Sequence, residues 1–388
     1  MDKDLIRILF ALLRFEVNSA ELCESDKNLI TEDVLKGLYN LSKRHDLAHL
    51  VGDALDKNGL LLDGSEAQKR FLKERNMAVY RYEQLQYELD RVCEVFEKEK
   101  IPFIPLKGAV VRQYYPEPWM RTSCDIDILV KRKDVTNAIQ ILKRKLGFTS
   151  DEVESSHDIS LFSVSGMHLE LHFDLTEGDK YGKEILSKIW SYAKPKKDLG
   201  FHNVIPDEVL YVYHITHMIK HFEYGGCGIK PFVDLWVLYR VLDLRKETDV
   251  FLKIAKVERF ERVVRQLSLV WGQNAEHNEL TKQMAEYIFR GGVYGTMGNR
   301  VLTQQTKRGG KGKYLFSRLF PSYKSLAIKY PSLKKYPILY PFYLVRRWGK
   351  ILFVKETNKN ATREIAMVSK IDKKQRHAQK EFIKKLGL

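Results

Sequence analysis

Asp125 and Asp127, in the run Asp125-Ile126-Asp127-Ile128-Leu129-Val130, are the residues whose spacing most directly suggests chemistry. Alternate side chains of a strand share a face, so both carboxylates would point the same way and could bind hard cations through oxygen. Taken alone, the triplet fits a solvated strand end better than a site. Its company changes that. Upstream, Leu106-Lys107-Gly108 lies at a strand-to-helix turn, where backbone N–H groups and a helix N-terminus can hold a triphosphate. Downstream, His168-Leu169-Glu170-Leu171-His172 alternates, which buries its leucines and presents Glu170 between two histidines on the other face. On that face His172 can orient a carboxylate or touch a substrate, while His168 is expected to be exposed.

The elements that position these residues follow from periodicity. Up to Lys100 the apolar spacing is helical: Leu5 to Phe15, Thr31 to Lys43, His45 to Lys57, and a long helix from the N-cap Ser65 to Glu97. The period then changes to strands over Ile101 to Leu106, Ile126 to Val130, Asp158 to Val164 and His168 to Phe173. Helices are predicted over Ala109 to Tyr115 and Asp134 to Leu146, and a turn at Ser165-Gly166. Helical patterns return from Pro206 to Phe222, Pro231 to Leu242, Thr248 to Trp271 and Asn278 to Arg290. Glycines 291, 292, 295, 298, 309, 310 and 312 mark a loop or hinge, and Gly309-Gly310-Lys311-Gly312-Lys313 lacks Walker spacing, so it reads as a flexible basic loop.

The predicted fold is α+β: a small mixed-sheet core at residues 101–200 between a helical N-terminal region, 1–100, and a helical domain, 201–306, with a basic aromatic tail at 307–388. The 388 residues, 44% hydrophobic and 30% charged, suffice for a sizeable core. Four dispersed cysteines without a C-x-x-C pair argue against zinc and disulfide frameworks and for a reducing compartment, here the cytoplasm. The N-terminal apolar run is interrupted by Arg7 and Arg14, and no uncharged run approaches membrane-spanning length. Net charge is +16, but residues 307–388 carry 22 Lys and Arg against four acids, +18, which leaves −2 for residues 1–306. An anionic surface or polymer is therefore the expected neighbour of the tail.

The turn, the acid pair and a third acid on a later strand together resemble the polymerase-beta-type nucleotidyltransferase superfamily. Closer still, Pro105-Leu106-Lys107-Gly108, Tyr115-Pro116, Arg121 and Asp125 to Val130 resemble the bacterial uncharacterised nucleotidyltransferase family associated with polysaccharide loci. Glu170-Leu171-His172, Pro206-Asp207-Glu208, His217 with Lys220-His221, and Asp234-Leu235 extend the likeness over most of the chain. One departure is that Gly108 is followed by Ala109 where the superfamily has Gly-Gly or Gly-Ser. The resemblance implies transfer of a nucleoside monophosphate from a nucleoside triphosphate to an acceptor hydroxyl, on a sugar or glycan precursor. It also implies two Mg²⁺ ions, with Mn²⁺ as an alternative. Asp125 and Asp127 would hold both metals, and Glu170 the one that activates the hydroxyl, with a further role as general base. Lys107 and Arg121 would bind phosphate, Gly108 would let backbone approach it, and His172, Lys220, His221 and Asp234 would line the acceptor side.

Rival readings concern the histidines and the tail. His214, His217 and His221 recur at helical spacing, which fits a core-facing helix face more simply than a metal site. Tyr336 to Phe353 mixes aromatics with Arg346 and Arg347, as suits a peripheral segment at the inner membrane face; equally, the aromatics could pack on the helical domain while lysines stay in water. Nucleic acid is the weaker candidate, because no recognised module accompanies the basic residues. Beyond Lys370 an exposed or partly disordered helix is expected. The alternative function is a catalytically degenerate protein that docks on a membrane or an assembly of a polysaccharide pathway.

Overall fold

The helix Glu66–Lys98 fixes the position of the sheet relative to everything else. Ser65 caps it by accepting a hydrogen bond from the Gln68 N–H, and its 33 residues make a rod about 50 Å long. Phe71, near its start, belongs to the main hydrophobic core; Leu85, Leu89, Val92 and Phe96, further along, belong to the core beneath the sheet. In this computed structural model residues 3–150, 157–176, 180–244, 246–292, 295–330 and 332–388 are described. Val293 and Tyr294, within the glycine-rich loop expected there, lie outside them.

Five strands form the sheet: β1 (Phe103–Pro105), β2 (Asp125–Val130), β3 (Thr149–Ser150), β4 (Asp158–Phe162) and β5 (His168–His172), in the order β1-β2-β5-β4-β3. Among these five described strands only β2 and β5 pair in parallel, and the helix Val135–Leu146 lies in the crossover between them. Ile126, Ile128, Val130, Leu169 and Leu171 point into the core beneath the sheet, together with Ile141 and Leu142. Asp125, Asp127, Glu170 and His172 are thereby turned to the opposite face. The architecture is the α+β arrangement expected, with β1 shorter than predicted. Its Pro105 is tolerated because β1 is an edge strand.

A second, larger core joins the N-terminal helices to the helices of residues 207–289. Phe10 of the helix Lys3–Asn18 stacks on Trp271 at a centroid distance of 4.7 Å, and both belong to this core. Three expectations are corrected here. The stretch Thr248 to Trp271 is two helices, Lys246–Ile254 and Glu258–Gln273, because Lys256 adopts φ +60° between them. Lys311 to Lys313 are not loop but the start of the helix Lys311–Leu319. The end of the chain is the helix Lys373–Leu386, whose Phe382, Ile383 and Leu386 enter the main core, Phe382 against Phe222 and Tyr287. Among the described residues no helix is long and apolar enough to cross a membrane.

His45 is fully buried, and among the described residues neither of its ring nitrogens has a hydrogen-bond partner. Burial, helped by the charge of Arg44, pushes its pKa down to about 4. A histidine kept neutral by folding stabilises the native state above its unfolded pKa of about 6.5, and that contribution is lost as pH falls through about 4. The expected loss is about 3 kcal/mol over this window. Thermal melts of wild type and His45→Leu across the same range check it: the wild-type melting temperature should fall more steeply, and parallel curves would contradict the assignment.

Candidate active site

The parallel pairing of β2 with β5 sets Asp127 directly beside Glu170, and Asp125 beside His168. Two clusters of possible metal ligands follow, Asp125–His168–Glu170 and Asp127–Glu170–His172, each with its ligand atoms within 4.8 Å of one another. Glu170 belongs to both. His168, expected to be exposed, is instead half-buried and stacked on Phe162, and its buried Nε2 has no hydrogen-bond partner among the described residues.

Lys107 reaches these carboxylates from the turn after β1. The Leu106 N–H donates to the Asp127 carbonyl at 2.9 Å, tying the turn to β2, and Lys107 itself takes φ +44°, a conformation side chains rarely adopt. Its Nζ donates to Asp127 Oδ1 at 2.7 Å and lies 3.7 Å from Glu170. His172 Nε2 is 2.8 Å from the same Asp127 oxygen and 3.3 Å from Glu170.

Burial opposes charge on Asp127, but Lys107 and His172 outweigh it and hold the carboxyl far below its usual range. For His172 burial again works against the charge, and hydrogen bonds with Asp127 and Glu170 raise the imidazolium pKa to about 9. Burial also disfavours the Lys107 ammonium, yet Tyr213, Asp127 and Glu170 raise it above its ordinary value. Asp125 is raised, first by burial and then by the like charges of Asp127 and Glu170. This is a set of carboxylate oxygens flanked by the imidazoles of His168 and His172. Such a set suits a hard divalent cation.

Gly108 starts a helix of only four residues, Gly108–Val111, followed by a 3₁₀ turn at Arg112–Tyr114. A Cβ here would sit 2.8 Å from Arg121 Nη1, 3.0 Å from Ser123 Oγ and 3.2 Å from Arg112 Nη2, so glycine lets two guanidinium groups close over the turn. Arg112 donates to the Gly108 carbonyl and to Ser123 Oγ. The fork of Arg121, expected on phosphate, is taken up by Asp234: Nε and Nη2 donate to its two oxygens at 3.3 and 3.1 Å. Tyr115 donates to the same carboxylate at 2.7 Å. Asp234, only 1% exposed, thus joins the turn to the helix Lys230–Val241. Burial alone would raise its pKa, but Arg121 holds it below the ordinary value.

Breaking that pair should be expensive, because it strands a buried cation. Asp234→Asn is expected to destabilise the fold by about 3–5 kcal/mol, and Tyr115→Phe by about 1 kcal/mol. Urea unfolding measures both. Equal, small effects would show that the ion pair does not hold the turn.

The wall opposite the sheet is the helix Asp207–Glu223. Tyr213, His214, His217, Lys220 and His221 line the same cleft as the carboxylates, a volume of about 360 Å³. His217 and His221 bring their Nε2 atoms to 2.9 Å, so one donates and the other accepts. Burial drives the His217 pKa well down and lowers that of His214. Sequence reasoning placed Lys220 and His221 here but read His214 and His217 as core-facing, and it missed Tyr213, Arg112 and Ser123. The spacing of 213, 217 and 220 was a visible signal for one helix face; what that face meets was not. Lys230, also missed, donates to Asp46 and to the Thr122 carbonyl at the cleft rim.

A family model described as "Uncharacterised nucleotidyltransferase" matches residues 34–272. The chain belongs to this nucleotidyltransferase family. The match contains the turn, the acid pair, Glu170 and the cleft-lining helix, and it stops before the basic segment. No curated protein and no solved structure matches the chain. General nucleotidyl transfer is the activity that family membership supports.

Proposed function

We propose that this nucleotidyltransferase moves a nucleoside monophosphate from a nucleoside triphosphate to the hydroxyl of a small acceptor of the sugar or glycan-precursor class. The observation that carries this reading is the register of β2 and β5, which gathers Asp125, Asp127 and Glu170 at one end of a cleft that Lys107 also faces. Asp125 and Asp127 would hold two Mg²⁺ ions, or Mn²⁺ in their place, and Glu170 the one nearer the acceptor. Held there, such ions would supply charge neutralisation for the triphosphate and a lowered pKa for the acceptor hydroxyl.

The chain's own side chains supply the rest. Lys107, a compact point charge on the turn after β1, would bind phosphate. Arg121, committed to Asp234, positions the turn rather than the nucleotide. His172 keeps Asp127 oriented through its Nε2. Tyr213, the neutral His217 and its partner His221, with Lys220, offer donors and acceptors to a hydroxyl-rich acceptor, and the cleft volume suits a small molecule better than a polymer.

Two readouts test the proposal. Mg²⁺ should offset the burial and then the like charges that raise Asp125, and so stabilise the fold, by about 2.7 kcal/mol at a hundredfold excess over its dissociation constant. Pyrophosphate release from the four ribonucleoside triphosphates, with a pool of sugar acceptors, should require the metal and stop with EDTA. Metal-independent release, or no thermal shift at any Mg²⁺ concentration, would overturn it.

A further inference from the structure

Outside the family match, the helix Tyr340–Phe353 is apolar on two faces, and only one of them is packed. Its inner face puts Leu344 with Leu326 and Leu333, under Tyr340, Tyr343 and Trp348. Its outer face carries Phe342, Val345, Gly349, Leu352 and Phe353, spaced three, four, three and one residues apart, which is one stripe at helical period. Phe342, Val345, Leu352 and Phe353 are 60–86% exposed, Ile338 just before the helix is 87% exposed, and a Cβ added at Gly349 would meet nothing within 4 Å. An uncovered stripe of this kind marks a binding surface.

Its charge setting identifies the partner. Between Glu286 and Glu356 the chain has no acidic residue and 15 Lys and Arg. Arg346 and Lys350, both exposed, flank the stripe along one side, and Lys334 and Lys335 are exposed just before it. A second copy would bring one strongly positive segment against another, so self-association is disfavoured by charge. A single nucleic-acid strand calls for flat aromatic platforms along a groove. Here the stripe is a convex helix face with aliphatic Ile338, Val345 and Leu352 among its phenylalanines.

We infer that this face docks on an anionic lipid bilayer: Phe342, Val345, Leu352 and Phe353 enter the boundary between headgroups and acyl chains, and Arg346 and Lys350 meet the lipid phosphates. Apolar burial with basic flanks is the combination that holds an interfacial helix on negatively charged lipid. The docked enzyme would work at the membrane surface, so its acceptor can be one that is itself bound to lipid.

Cosedimentation of the full chain with vesicles tests this. Wild type should pellet with phosphatidylcholine vesicles that contain phosphatidylglycerol, should not pellet with phosphatidylcholine alone, and should be released by salt. Phe342→Ser with Phe353→Ser should weaken binding about tenfold or more, and Arg346→Glu with Lys350→Glu about a hundredfold. Both should leave pyrophosphate release in solution unchanged, which also shows that they are folded. Asp127→Asn should bind vesicles like wild type, so that failure of the catalytic reading and failure of this one are separable. Wild type that stays in the supernatant with anionic vesicles would overturn the inference. So would undiminished binding by both double variants, or binding to a single-stranded oligonucleotide that depends on Phe342 and Phe353 while vesicle binding does not.

Discussion

Asp127→Asn is expected to lower the rate of pyrophosphate release about 10³-fold, a loss of about 4 kcal/mol of transition-state stabilisation. The substitution keeps the shape of the side chain and removes the charge on which both proposed metals depend. It also reaches the resting protein, because Asp127 is 3% exposed and is the shared partner of Lys107 and His172. With that carboxylate gone, burial dominates at His172, and its pKa should fall back from about 9, so that it sheds its proton near neutral pH. Lys107 keeps the longer contact to Glu170 and its interaction with Tyr213. A stability loss of about 3 kcal/mol is therefore expected alongside the rate loss, and circular dichroism melts with the turnover assay measure both. Near wild-type turnover would remove Asp127 from the metal site.

Glu170→Gln separates activity from stability. Glu170 is the acid common to both ligand clusters, so losing its charge should reduce turnover about 10²-fold. Its side chain is 24% exposed, and its contacts with Lys107 and His172 are the longer ones, 3.7 and 3.3 Å. The stability change should accordingly stay within about 1 kcal/mol. Raising the Mg²⁺ concentration should recover part of the lost rate, because the defect is one of metal affinity. A variant that melts like wild type and turns over like wild type would show that Glu170 is only a neighbour of the aspartates.

Much of this site could be read from sequence because it depends on strand alternation. Asp125 and Asp127 share a face whatever surrounds them, and so do Glu170 and His172, flanked by leucines that must be buried. The helices around the sheet were visible from apolar spacing, and Ser65 announces the long one as its N-cap. What stayed hidden depends on the meeting of distant segments. Nothing local in Arg121 tells that Asp234, more than a hundred residues away, takes its fork, or that Lys107 sits on Asp127 rather than facing solvent. His217 reads as part of a capped or core-facing helix face from its helical spacing with His214 and His221, but its burial lies against the cleft. The final helix was misjudged because its lysines outnumber its apolar residues, although Phe382, Ile383 and Leu386 already stand at helical spacing.

The central claim is that Asp125, Asp127 and Glu170 hold divalent cations beside a nucleoside triphosphate. A crystal soaked with Mn²⁺ and a non-hydrolysable triphosphate, with data collected at the manganese edge, tests it most directly. Anomalous density bounded by Asp125, Asp127 and Glu170, with Lys107 turned from Asp127 to a phosphate oxygen, is the expected result. A nucleotide bound elsewhere, or ordered triphosphate in the cleft with no anomalous signal at the carboxylates, would contradict it.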